Sequence, residues 1–429
     1  MPRTARMGAL ALLLTTQLLW TTRSAAQASP SCGPTLRRDD VVACALAASP
    51  AIEASMREVE TARARETAAS TILPSRPSLS LGLGQRAATA HEPAATIWSA
   101  ELAQELEIAG QRSARMQAAS ARVRAERLRT ELVRRQTVAD ALDAYFDALA
   151  AVEKKKLAEA QASVGAALAR AARARAEAGL VPPIEADIAE ATALRIGQER
   201  FAAERRLDAS MALLATLVGR DPRQPLVVEG ELVPLPLSAR LEALVEHAEA
   251  RADVAALEAE REAEEARASL YRRTRIPNPT LSVFAERENP EELRFGVGLA
   301  FPIPLPEPLA PNQRGEIAEA TALAASALAR AHAVRQQARA ELATAALALA
   351  SRRREVEAFP AEALARARSG LEALAHEVEA GRLPLRDALL AQQSLLDLLR
   401  AHLDARLALC RASVELLRTS ALSLDEVSP

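Results

Sequence analysis

Aromatic residues make up only 2% of this chain of 429 residues, and its acidic and basic side chains almost cancel, leaving a formal net charge of -2. With so few aromatic rings there is little surface on which nucleic-acid bases can stack. Without a positive field there is no electrostatic attraction to phosphate. We therefore expect no nucleic-acid partner, and too few aromatic side chains for the pocket of a large cofactor.

Long apolar runs are missing beyond the first residues. The run from Met7 to Trp20 follows Arg3 and Arg6, and the small residues between Ser24 and Ala28 suit a signal peptidase. A transmembrane anchor is the alternative, but the run is shorter than the roughly 20 residues that a spanning helix needs. The sequence predicts a signal peptide over residues 1–28, and hence export.

A catalytic or metal-binding constellation is also missing. No His-Glu-x-x-His, Cys-x-x-Cys or phosphate-binding glycine motif occurs. Isolated histidines are expected to be solvated or packing residues, and the pattern predicts no metal site, no cofactor and no enzymatic activity. The five histidines are His91, His247, His332, His376 and His402.

Cysteine is scarce, with three residues in the chain. Cys32 and Cys44 are close enough in sequence to form a disulfide in an exported protein, although two free buried thiols are an equally good reading. Cys410 lies in a helical stretch and is expected to be a small core residue.

Strong helix formers fill the stretch from Gly110 to Ala178, which contains no proline. At about 1.5 Å per residue such a helix is roughly 100 Å long, so it must pack sideways against other long helices. The chain reverses after it, because Gly179 suits a helix C-terminus and Pro182 precedes a new helix.

The same order of elements occurs twice: helix, two strands, long helix, tip, helix. The predicted elements are, in order, helix 39–72, strands 77–84 and 98–108, helices 110–178 and 184–218, helix 239–274, strands 281–285 and 293–303, a helix 313–379 kinked at Pro360, and a helix to Arg418. The domains follow: signal peptide 1–28, first repeat 29–218, mid-height linker 219–238, second repeat 239–420 and tail 421–429.

Both predicted hairpins have one apolar face and one polar face. Leu102, Leu106 and Ile108 share the apolar face of the first, and Glu101, Glu105 and Glu107 its polar face. Strands of this length and pattern suit a membrane barrel, but about eight strands are needed to close one, so several copies must share it. A small soluble sheet is the alternative, and a helical register around Glu101 is another.

Three features carry a family resemblance: the doubled order, the strand-to-helix passage from Gln104 to Arg112, and the Gly-x-x-Pro tips. Together they resemble the TolC-like outer membrane efflux family. The resemblance implies a mainly helical fold in which a homotrimer forms a twelve-stranded β-barrel in outer membrane lipid above a periplasmic α-barrel. It also implies a periplasmic adaptor and an inner-membrane pump of the resistance-nodulation-division type as partners. The segment Asn312 to Ala320 is similar to the cobalt-zinc-cadmium branch.

The resemblance also assigns residues at the tips. Asp387 takes the position of the family's aperture aspartate, while the second acid of that motif is Leu390 here. Glu185 and Asp187 lie at the corresponding place in the first repeat. All three are equally well explained as acids stabilised by a helix N-terminus. The expected docking residues are Gly179, Leu180, Val181 and Pro182 at one tip and Gly381, Arg382, Leu383 and Pro384 at the other.

The resulting hypothesis is an outer membrane duct that exports metal cations or small toxic compounds, does no chemistry, and opens at its tips. Glu101 and Glu105 would line its barrel lumen and favour cations. A soluble periplasmic coiled-coil adaptor or scaffold is the second hypothesis. The alternating hairpins distinguish the two, because a soluble adaptor has no use for an apolar sheet face.

Overall fold

The computed structural model describes residues 32–88, 94–236, 251–289, 292–304 and 312–420. The predicted signal peptide, the loop around His91, the start of the helix predicted from Ala239 and the tail 421–429 lie outside these ranges. Within them there are eight helices and six strands. In chain order they are β1 Thr35–Leu36, α1 Arg38–Ala48, α2 Pro50–Ala69, β2 Ser78–Arg86, β3 Ala95–Glu105, α3 Gln111–Glu177, α4 Pro183–Leu217, β4 Val227–Val228, α5 Ala252–Thr274, β5 Thr280–Asn289, β6 Glu292–Ala300, α6 Arg314–Glu357, α7 Ala361–Glu379 and α8 Leu385–Thr419.

Helix α3 organises the helical part. It has 67 residues and starts after Gly110, whose φ of 73° turns the chain out of the strand. Half of its buried positions are alanine, which lets neighbouring helices approach closely. In the described ranges, no helix carries an apolar stretch that would be long enough to cross a bilayer.

Two shorter helices lie one after the other along α3. On α2, Ser55 Oγ donates to Thr130 Oγ1 over 2.6 Å, which places α2 beside the first half of α3. On α4, Arg173 Nη2 lies 2.5 Å from Glu190 Oε2, which places α4 beside the second half. In the first repeat the long helix therefore packs sideways against two shorter helices, one along each half of its length, as its length predicts.

The single helix predicted over 39–72 is wrong. The structure has two helices that meet at Ser49, because Pro50 lacks the N–H needed to continue α1. Ser49 Oγ accepts a hydrogen bond from Ile52 N over 3.4 Å and caps α2 instead.

The predicted kink at Pro360 is a complete break. Helix α6 ends at Glu357 and α7 begins at Ala361, with Pro360 in an extended conformation between them. The ring of Phe359, at the break, packs against His402 of α8 with a centroid separation of 5.3 Å. This contact covers the break from one side.

The largest core cluster lies near the middle of α3. It joins Leu142 and Phe146 of α3 to Leu214 of α4 and Val414 of α8. The linker after α4 packs onto it: β4 pairs in parallel with β1, and Tyr145 Oη donates to the Glu229 carbonyl over 2.7 Å.

Four strands form one antiparallel sheet in the order β2-β3-β5-β6, so β2 and β6 are edges without a partner strand in the described chain. Pairing of Leu81 with Ala100, Ala100 with Ala285, and Ala285 with Phe295 puts the apolar residues of all four strands on one face. The other face carries mostly serine, glycine and charged side chains, together with Ile97 and Phe284.

The strands are shorter than predicted at their helix-proximal ends. Leu106 and Ile108 lie beyond β3, which ends at Glu105, because Glu107 forms an ion pair with Arg115 and the chain turns into α3 at Gly110. On β6, Phe301 and Ile303 lie beyond Ala300, where Pro302 removes a backbone donor.

Candidate functional site: the helix tips and the two faces of the sheet

The two tips have the same backbone geometry. At the first, Gly179 has φ 72° and the Leu180 N–H donates to the Arg175 carbonyl over 2.9 Å. At the second, Gly381 has φ 71° and the Arg382 N–H donates to the Glu377 carbonyl over 3.0 Å. Both are Schellman turns followed by a proline, so glycine is required at each position.

One arginine joins the two tips. Arg175 Nη1 donates to the backbone carbonyl of Val378 over 3.1 Å, and that carbonyl also accepts the N–H of Gly381 over 3.0 Å. The second turn is therefore held by a side chain from the first hairpin. Nothing in the sequence pattern pairs these residues, which are 203 positions apart.

The predicted aperture acids differ in their surroundings. Asp387 is exposed in the first turn of α8, and Glu185 is half-buried in the first turn of α4. Neither makes an ion pair within the described part of the chain. Asp187 lies 3.5 Å from Arg173 Nη2, so part of its charge is neutralised. The structure thus leaves Asp387 and Glu185 as the unpaired acids of this set.

One of the docking residues predicted at the second tip, Arg382, forms an ion pair. Arg382 Nε and Nη2 contact the two carboxylate oxygens of Glu377 at 2.7 and 2.8 Å. This contact lowers the pKa of Glu377 and raises that of Arg382. Since both side chains are exposed, the ion pair orients the tip more than it stabilises it.

A groove of about 750 Å³ runs between α4 and α8 behind the tips. At its base lies a polar network that the sequence did not reveal. Gln161 of α3 is 5% exposed, and its Oε1 accepts from Arg400 Nη2 over 2.6 Å. The same guanidinium nitrogen lies 3.1 Å from Glu199 Oε2 on α4. Three helices are therefore tied together at this level.

The sheet places the two predicted lumen residues on its polar face. Glu101 is exposed and pairs across the strands with Phe284 and Ser80. Glu105 is half-buried, and its Oε1 accepts a hydrogen bond from Asn278 Nδ2 over 2.8 Å. Asn278 in turn accepts from the buried Gln111 over 2.8 Å. Glu105 is therefore part of the sheet-to-helix junction.

The apolar face of the sheet is open. Leu81 is 74% exposed and Phe295 is 75% exposed, and they belong to the same row of residues across the strands. A contiguous apolar surface of this kind marks a contact with lipid or protein.

Cys32 and Cys44 form a disulfide, with their Cα atoms 6.0 Å apart. The Cys32 carbonyl also accepts a hydrogen bond from Arg220 Nη1. Both contacts hold the first described residues against the middle of the helical part. Cys410 is a free, buried thiol, and burial raises its pKa to about 12.

The histidines do not converge where the structure describes them. His332, His376 and His402 lie on α6, α7 and α8, while His91 and His247 fall outside the described ranges. Among the described residues, no group of three or more His, Cys, Asp or Glu side chains is arranged to hold a metal ion.

Comparison with known proteins connects this geometry to a class. A family model for outer membrane efflux proteins matches residues 41–220. The cobalt-zinc-cadmium resistance protein CzcC of Cupriavidus metallidurans is 29% identical over 201 residues, which are 47% of this chain and 48% of the relative. The chain thus spans about half the length of the curated relative that it matches.

Solved structures extend the likeness in fold. The outer membrane protein VceC of Vibrio cholerae superimposes with a TM-score of 0.71 at 19% identity, covering 89% of this chain and 95% of VceC. The transmembrane channel protein CusC gives a TM-score of 0.72 at 16% identity, with 89% and 91% covered. At these identities the likeness shows the fold.

The fold is thus that of outer membrane channel proteins, mainly helical with a small β part. The predicted resemblance to the TolC-like outer membrane efflux family is confirmed, by sequence over residues 41–220 and by fold over most of the chain.

Proposed function

We propose that this chain is the outer membrane channel of a tripartite efflux system. Three copies pool their four-stranded sheets into one barrel, and their helices form the periplasmic tunnel below it. The channel does no chemistry. The energy for transport comes from an inner-membrane pump of the resistance-nodulation-division type, which a periplasmic adaptor connects to the channel.

The observation that carries the proposal is the sheet. Its Leu81 and Phe295 face is open, its other face is polar, and its edges β2 and β6 have no partner within the described chain. Lipid accepts an apolar face but cannot satisfy an open strand edge, so the edges must pair with other copies. A soluble adaptor would expose this surface to water.

The substrate proposal is narrower. CzcC is named for resistance to cobalt, zinc and cadmium, and it is the relative that this chain matches over about half its length. Metal cations are therefore the proposed cargo, with small toxic compounds as the broader class. The tips, from Gly179 to Pro182 and from Gly381 to Pro384, are the proposed adaptor contact, and Asp387 with Glu185 the proposed aperture acids.

The test begins with purification of the mature protein from membranes. We expect extraction only with detergent, a trimeric mass after correction for bound detergent, and ion-conducting steps in a planar bilayer. A water-soluble monomer that forms no channels would contradict the proposal and favour the adaptor hypothesis. For the cargo, deletion of the gene in its native host should lower tolerance to zinc, cobalt or cadmium, and the wild-type gene should restore it.

A further inference from the structure

Phe284 stands apart from its surroundings on the sheet. It lies in β5 on the polar face, where the neighbouring positions carry serine, glycine and charged side chains. The other aromatic residues of the four described strands, Trp98 and Phe295, lie on the apolar face. A half-buried phenyl ring on the polar face is not explained by contact with lipid.

The sheet is built to hold this ring. The strand partner of Phe284 on β6 is Gly296, and a Cβ added to that glycine would lie 2.3 Å from Phe284 Cζ and 2.6 Å from Cε1. The distal ring atoms therefore lie directly over the Gly296 backbone. Any side chain at position 296 would push the ring away, so Gly296 keeps it close to the sheet.

An acidic residue is the neighbour of Phe284 on the opposite strand, β3. On β3, the strand partner of Phe284 is Glu101, which is exposed and makes no ion pair within the described ranges. Directly opposite residues of an antiparallel pair have Cβ atoms about 5 Å apart. The polar face thus carries an aromatic residue and an acidic residue without an ion pair in the described ranges at directly opposite positions of two neighbouring strands.

We infer that Phe284 and Glu101 form a cation-binding site in the lumen, and that this site prefers organic cations with an alkylated nitrogen. An aromatic ring attracts such a cation through its quadrupole, and an adjacent carboxylate adds charge attraction. The inference rests on the proposed channel, in which threefold repetition turns the pair into a ring of three phenyl groups and three carboxylates at one level. A strongly hydrated metal ion gains less from the phenyl ring than a tetraalkylammonium ion does.

The test is block of the bilayer channel by tetraethylammonium. In wild type we expect a concentration-dependent fall in potassium current. Phe284→Leu keeps an apolar side chain but removes the ring, and it should weaken the block about three- to tenfold. Tetraethylammonium should block the Phe284→Trp channel at least as strongly as the wild-type channel. Glu101→Gln should reduce both the block and the preference of the channel for potassium over chloride.

The matched control is Phe295→Leu, the same substitution in the neighbouring strand but on the opposite face. It should leave the tetraethylammonium block unchanged. If Phe284 serves only to cover Gly296, Phe284→Leu will lower the thermal stability of the trimer while its block equals that of wild type, and that result would overturn the inference. Absence of any channel from wild-type protein would instead overturn the proposed function, and this inference with it.

Discussion

Arg175 Nη1 lies 3.1 Å from the backbone oxygen of Val378, so the end of the first hairpin is hydrogen-bonded to the turn that ends the second. The acceptor is the same carbonyl that closes the Schellman turn at Gly381. Both tips of one subunit are therefore expected to move as a unit.

In the proposed channel, Arg175→Ala frees the two tips of one subunit from each other and should make them leaky. A hydrogen bond from a charged donor contributes about 1.5–3 kcal/mol, and about 1.4 kcal/mol corresponds to a tenfold change in an equilibrium. We expect the open fraction in bilayer recordings to rise about tenfold, and cells to become more sensitive to a large antibiotic such as vancomycin. Arg170→Ala is the control, because Arg170 is exposed on the same helix and makes no hydrogen bond within the described ranges. Equal leakage from the two variants would contradict this role.

The two faces of β2 should respond oppositely to the same substitution. Leu81→Arg puts a charge on the exposed apolar face, where lipid contact makes it unfavourable by about 2–4 kcal/mol at mid-membrane. Ser80→Arg puts the same charge on the polar face one residue away. We expect the first variant to be lost from the outer membrane fraction and the second to be retained. Retention of both variants would mean that the Leu81 face does not contact lipid.

Much of this arrangement follows from local sequence, while the contacts between distant segments do not. The ends of α3 are within one residue of the prediction because Gly110 and Gly179 mark them, and alternation identifies the face of Glu101. The break at Ser49 was missed although a Ser-Pro pair suits a helix N-terminus, because the apolar pattern continues across it.

The contacts of Arg175 and of Gln161 join residues more than 200 positions apart, and in sequence each looks like an ordinary polar helix position. The division into repeats at 29–218 and 239–420 stays a prediction.

Arg400→Ala should destabilise the helical part. The substitution leaves the buried Gln161 Oε1 without its 2.6 Å donor and removes one of the two arginines that pair with Glu199 on α4, the other being Arg195. An unsatisfied buried acceptor lowers the free energy of unfolding by about 1–3 kcal/mol. Chemical denaturation followed by far-ultraviolet circular dichroism measures it. Arg386→Ala, at an exposed position on the same helix, should change little, and an equally stable Arg400→Ala protein would show that the network is not stabilising.

From the disulfide we predict the number of thiols that react in denatured but unreduced protein. Because Cys32 and Cys44 are bonded, denatured but unreduced mature protein should contain one reactive thiol, that of Cys410. A disulfide that closes a loop of this length stabilises the folded protein by about 3 kcal/mol. Cys44→Ala should therefore lower the thermal midpoint, and reductant should have the same effect on wild type but none on the variant. Three reactive thiols in unreduced protein would exclude the bond.

We predict that the stability of the folded chain depends on pH through Asp143, which lies in the contact between α3 and α8. Burial raises the pKa of its carboxyl, as do Asp147 and Asp140, while Arg418 and Arg411 partly oppose the shift. Arg418 Nη2 lies 3.0 Å from Asp143 Oδ2 and 3.0 Å from Asp140 Oδ1, so one guanidinium nitrogen contacts two carboxylates.

A raised pKa means that the folded chain holds this proton more tightly than the unfolded chain does. The resulting stabilisation is complete below the unfolded pKa of about 3.9 and is lost as the pH rises through the higher folded value. Asp143→Asn abolishes the titration, so its thermal midpoint relative to wild type should rise between about pH 4 and about pH 7. Asp143→Glu keeps a titrating carboxyl and should follow wild type. A constant difference between Asp143→Asn and wild type across this range would show that the folded chain does not hold the Asp143 proton more tightly.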